Sequence, residues 1–115
     1  MQTSKLIELL DRGSVMELAC PRCGGEYLHH RGAVFFERGE DQALVVKIVV
    51  DRGTSTTTID SGVGNPSSRR HGMFVKFECE ECSTPGDTLQ LNIAQHKGAT
   101  ELSWTFSPRI KRTKV

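Results

Sequence analysis

The sequence carries almost no net charge: 15 lysines and arginines face 14 aspartates and glutamates, a formal excess of +1. No global field therefore draws the chain to nucleic acid. Aromatic residues are scarce, at 6% with one Trp and one Tyr, which leaves few platforms for base stacking. Long apolar runs are missing. The longest, Ala43 to Val50, is broken by Lys47 and falls far short of the roughly 20 residues that a bilayer requires. No membrane span is expected. The opening Met1-Gln2-Thr3-Ser4-Lys5 leads into a segment carrying Glu8 and Asp11, which is not the pattern of a signal peptide. The chain therefore reads as cytoplasmic.

What is present fits one domain. A length of 115 residues suits a single modest core, placed at residues 1–107 with a basic tail at 108–115. Residues 4–12 put Leu6, Leu9 and Leu10 at helical spacing, with Gly13 where a C-cap belongs, so a short N-terminal helix is predicted. Tyr27 to Arg38 reads as a strand bent at Gly32, and Ala43 to Asp51 has the β-branched content of a buried strand. Gly, Ser, Thr, Asn and Pro dominate residues 52–71, which read as a long loop, although Thr54 to Asp60 could extend the neighbouring strand. Beyond Gly72, alternation takes over. Met73, Val75 and Phe77 share one face of a first strand, Leu89, Leu91 and Ile93 of a second, and Leu102, Trp104 and Phe106 of a third. This describes an antiparallel meander, with His96-Lys97-Gly98 as its last turn. The expected fold is mostly β: an antiparallel zinc-ribbon-type sheet with one short helix.

All four cysteines fall in two Cys-x-x-Cys units, Cys20-Pro21-Arg22-Cys23 and Cys79-Glu80-Glu81-Cys82. That spacing lets both thiolates of one tight turn face one ion. Two such turns complete a tetrahedral S₄ site, for which Zn²⁺ is the first choice and mononuclear iron the competitor. Disulfides are disfavoured in a cytoplasmic chain. A redox Cys-x-x-Cys normally opens a helix in a βαβ setting, which is not predicted here. With four protein ligands the zinc is expected to be structural.

Cys-Pro-Arg-Cys-Gly-Gly followed by strands and a second Cys-x-x-Cys resembles the zinc-ribbon class, whose members bind nucleic acid or protein partners. More narrowly, Tyr27 to His30, Asn65 to Gly72, Phe77 to Cys82 and Gln95 to Thr100 resemble segments of small uncharacterised bacterial zinc-ribbon proteins, some of them on mobile elements. The resemblance covers residues 18–105 and implies the fold and the metal site, with no established activity.

Outside the cysteines, Arg69, Arg70, His71, His96 and Lys97 are candidates for one basic patch at an edge of the sheet, suited to phosphate or to an acidic protein. Arg109, Lys111 and Arg112 add charge in the tail, where no acidic residue follows Glu101. A solvated surface is the plainer reading of both clusters. His29 and His30 are adjacent in a strand, so at most one faces any common site. The first functional expectation is a nucleic-acid-binding module. The alternative is a non-enzymatic interaction module of a phage or mobile element that docks on a host complex. A homodimer through a sheet edge fits the strand pattern. A His-dependent metal nuclease fits less well, because such sites place the metal-binding histidine on a helix and none is predicted between residues 60 and 106.

Overall fold

The computed structural model describes residues 1–108. The three alternating segments form β7 (Gly72–Cys79), β8 (Leu89–His96) and β9 (Ala99–Phe106), joined as a meander. Lys97 and Gly98, with φ of 49° and 81°, make the predicted two-residue turn. β4 (Leu28–Glu37) pairs with β7 and with β5 (Val45–Asp51). Its register shifts between His30 and Gly32, where the bend was expected. Every pairing is antiparallel.

Two expectations are corrected. There is no N-terminal helix. β1 (Gln2–Ser4) pairs with β9, and β2 (Leu9–Asp11) forms a separate hairpin with β3 (Met16–Leu18). A nine-residue helix carries its nucleation cost alone, whereas Ser4 opposite Trp104 joins a ladder already in place. Leu6 and Leu9 stay exposed, so the helical spacing marks no buried face. Gly13, at φ 85°, belongs to the hairpin turn and not to a helix cap.

The loop assigned to residues 52–71 is the second correction, since its first part is a full strand. β6 (Thr54–Asp60) pairs with β5 over seven residues. Arg52 and Gly53, at φ 50° and 75°, form the tight turn between them. The polar composition was misleading because β6 has one neighbour and no covered face. Its β-branched threonines still favour extended backbone. Residues 61–71 are the true connection, and they are pinned: Ser67, 3% exposed, donates through Oγ to Gln95 O at 2.7 Å, and Asn65 Nδ2 donates to Arg70 O at 3.0 Å.

The sheet order is β1-β9-β8-β7-β4-β5-β6. Alternation sends apolar residues to both faces, at different ends. On one face Leu89, Trp104 and Phe106 pack with Cys20 and Cys79, joined by Ile7, Leu18 and Phe77. On the other, Val34, Phe36 and Val45 pack with Val49 and Phe74. The two cysteine turns and the β2–β3 hairpin close one end of the sheet; the 61–71 connection serves the other.

Candidate metal centre

The first cysteine turn lies between β3 and β4, and the second begins on the last residue of β7. Both have the same backbone closure. Gly24 N–H donates to Cys20 O at 2.8 Å, and Ser83 N–H donates to Cys79 O at 3.0 Å. Glycine suits both positions after the first turn. Gly24 has φ 73°, and a Cβ on Gly25 would meet Glu81 Oε2 at 3.0 Å and Cys23 Sγ at 3.2 Å. The Gly25 N–H instead points at Cys23 Sγ, 3.4 Å away. The strand pairing Leu28↔Cys79 then fixes one turn against the other.

Convergence follows. The Sγ atoms of Cys20, Cys23, Cys79 and Cys82 all lie within 4.8 Å of one another. Cys20 Sγ and Cys82 Sγ are 3.6 Å apart, as are Cys23 Sγ and Cys79 Sγ. A disulfide needs about 2.05 Å. The edge of a tetrahedron with metal–sulfur bonds of about 2.3 Å is about 3.8 Å. The spacing suits four thiolates around one ion. Cys20 and Cys79 are buried and Cys23 and Cys82 half-buried, so one side of the cluster is sealed by Trp104 and its neighbours.

The thiols are electrostatically unequal. Burial pushes Cys20 up, but N–H groups of Cys23 and Arg22 and the contact with Cys82 outweigh it, leaving Cys20 below the ordinary thiol value. Burial raises Cys23. Cys82 is held well above the ordinary value by burial and by hydrogen bonding to its three fellow cysteines. Four thiolates held this close would repel, and a divalent ion is the simplest group that lets all four ionise together.

Arg22, inside the first turn, was not anticipated. Its side chain is 3% exposed and pairs with Asp87 at 2.8 Å. It also donates to Ser107 O at 3.3 Å and to Ser83 Oγ at 3.2 Å. It thus ties the first turn to the second turn, to the β7–β8 connection and to the end of β9. Burial works against its charge, yet Asp87 and the neighbouring Cys82 raise its pKa above the usual arginine value. No sequence signal distinguishes such a buried arginine from an exposed one.

The other site candidates lie elsewhere. Arg69, Arg70, His96 and Lys97 line one hollow of about 50 Å³ with Glu40 and Gln95. It sits at the opposite end of the sheet from the cysteines, about 23 Å away along β7 at 3.3 Å per residue. Arg69 is engaged by Asp41 through a bidentate contact at 2.8 and 2.6 Å, and Arg70 pairs with Glu40 at 2.8 Å. The arginine holds the Asp41 carboxyl below its ordinary range. His71 does not line the hollow; its Nδ1 accepts from the Arg38 backbone N–H at 2.9 Å. His29 pairs with Glu80 at 2.6 Å, beside the second turn. Neither His29 nor His30 belongs to the sulfur cluster. Arg109, Lys111 and Arg112 lie outside the described residues. The last described residue, Pro108, follows β9 at the cysteine end of the sheet.

No family model, curated protein or solved structure matches the chain. The reading of this site therefore rests on its own geometry.

Proposed function

We propose that this chain is a zinc-stabilised, non-catalytic binding module whose loop end faces nucleic acid. The four-sulfur cluster supports zinc as the ion and a structural role for it. Four thiolates fill a tetrahedral shell, and no position is left for water or substrate. A bound Zn²⁺ would supply cross-linking of the two turns and relief of thiolate repulsion. The zinc-ribbon resemblance of Cys-Pro-Arg-Cys-Gly-Gly agrees with this, although the sheet is broader than two knuckles alone require.

One observation carries the nucleic-acid half: residues from two distant segments, Arg69-Arg70 and His96-Lys97, converge on one hollow. Arg38 adds a fourth cation nearby through its bond to Ser68 O. Against these four stand Glu40 and Asp41, an excess of two positive charges. Phosphate oxygens would compete with the two carboxylates for the same guanidinium groups. The measurement is fluorescence anisotropy of labelled single-stranded and duplex oligonucleotides across a salt series. A slope equivalent to about two to three phosphate contacts is expected, falling by roughly 1–2 contacts in Arg69→Ala/Arg70→Ala. Absence of binding to DNA and RNA at low salt ends this reading.

The ion pairs themselves favour a second reading, a protein-interaction module. Arginines already compensated by carboxylates suit the polar rim of a protein interface, and the sheet leaves Phe35, Val50, Ile59 and Leu102 exposed. Loss of oligonucleotide binding with a folded, zinc-loaded chain would move the assignment there.

A further inference from the structure

We propose that β6 is a dimerisation edge, along which two copies of this chain join antiparallel about a two-fold axis through Thr57. This edge does not depend on the nucleic-acid reading. All seven residues of β6 are exposed, and the strand ends the seven-stranded sheet. Natural sheets blunt such edges with lysines, proline, bulges or shortness. β6 has none of these. It runs Thr-Ser-Thr-Thr-Thr-Ile-Asp and keeps unbroken register with β5 from Asp51↔Thr54 to Val45↔Asp60. The opposite edge, β1, is blunted by its length of three residues.

Register then selects the partner. The two-residue turn at Arg52-Gly53 makes Asp51↔Thr54 the hydrogen-bonded closing pair. Bonding alternates along an antiparallel ladder, so Thr54, Thr56, Thr58 and Asp60 spend their backbone groups on β5. The N–H and C=O groups of Ser55, Thr57 and Ile59 point outward. An incoming antiparallel strand must present its own outward residues to these three. A second β6 centred on Thr57 does so at every position: Thr57 meets Thr57, and Ser55 meets Ile59 twice, each pair exchanging both N–H···O bonds. All seven residues overlap.

Side chains agree with this register. Thr56 faces Thr58, and Thr54 faces Asp60, so no like charges are opposed. Each Arg52 comes within reach of Asp60 of the second copy. Among the described residues neither Arg52 nor Asp60 forms an ion pair within its own chain. The two-fold axis therefore creates two reciprocal Arg–Asp contacts from charges that lack an ion-pair partner among the described residues, while Asp60 Oδ1 keeps the Gly62 N–H at 2.7 Å. It also makes the exposed Val50 and Ile59 part of one continuous face across both sheets.

The test is light-scattering mass on the zinc-loaded full chain at about 100 µM. Twice the monomer mass of 12.8 kDa is expected. Thr57→Pro should halve it with unchanged zinc content and circular dichroism, because the N–H it removes faces outward and bonds nothing within the chain. Thr57→Lys places two ammonium groups in opposition on the axis and should also halve the mass; it decides the matter if the proline variant misfolds. On oxidation, Thr57→Cys should cross-link the two copies, whereas Ser55→Cys, which meets Ile59, should not. A parent chain at 12.8 kDa, a dimer that survives Thr57→Lys, or cross-linking at Ser55 and not at Thr57 overturns the proposal.

Discussion

Replacing Arg22 by alanine probes how the metal end is held together. Its side chain is 3% exposed and that of its partner Asp87 13% exposed, so the pair is largely shielded from water. Removing the arginine leaves the Asp87 carboxylate with only the Thr84 N–H at 3.2 Å, which costs about 3–5 kcal/mol. That is a large part of the roughly 5–15 kcal/mol that holds a domain folded. At about 4 °C per kcal/mol for a chain of this size, the melting temperature should fall by roughly 12–20 °C. The contacts to Ser107 O and Ser83 Oγ, at 3.3 and 3.2 Å, are long and add little. Because Arg22 lies within the first turn and beside Cys82, zinc affinity should fall about 10–100-fold as well. The assay is urea unfolding at fixed free zinc, read by the fluorescence of Trp104, the single tryptophan, buried in the cysteine cluster. Arg22→Met with Asp87→Leu, which removes both charges, should lie within about 1 kcal/mol of the parent. An Arg22→Ala chain as stable as the parent to within about 1 kcal/mol would show that the Arg22–Asp87 pair does not hold this end together.

Two further outcomes concern the ion. Removing zinc with a chelator, or substituting Cys79→Ser, should abolish an apparent ~10–16 kcal/mol of stabilisation. It should expose Trp104 while one equivalent of zinc appears in metal analysis; a tryptophan spectrum indifferent to chelation contradicts the shared site. Metal binding should also be linked to protons. Cys23 and Cys82 lie above the ordinary thiol value without a cation, so at neutral pH both are protonated and must ionise to ligate. Affinity should rise with pH, with a slope of log K against pH of at least about 2, readable by calorimetry in buffers of different ionisation enthalpy. A slope near zero between pH 6 and 8 would mean that the thiolates are already formed.

The chemistry of the cysteine site was legible in the sequence because it is local. A three-residue separation, a tight turn and glycines after the first pair define a knuckle wherever it is placed. Period-2 alternation likewise marked β7, β8 and β9, since a half-buried strand writes its two faces directly into the chain. Leu6, Leu9 and Leu10 misled because helical spacing over nine residues also occurs by chance. The ladder that claimed Ser4 lies a hundred residues away, at Trp104. β6 was obscured because an edge strand with no buried face has no apolar period to read.

Tertiary structure alone decided how these pieces meet. The Leu28↔Cys79 pairing brings the two knuckles together across 56 residues of chain. The same pairings send Arg69, Arg70, His96 and Lys97 to the far end, where Glu40 and Asp41 neutralise part of their charge. Arg22 became a buried keystone only because Asp87 and Ser107 arrive from elsewhere. Residue type and short spacing determined what each segment could bind. Long-range strand pairing determined which segments share a site, because a ladder partner is chosen by the whole sheet and leaves no mark near the residue it positions.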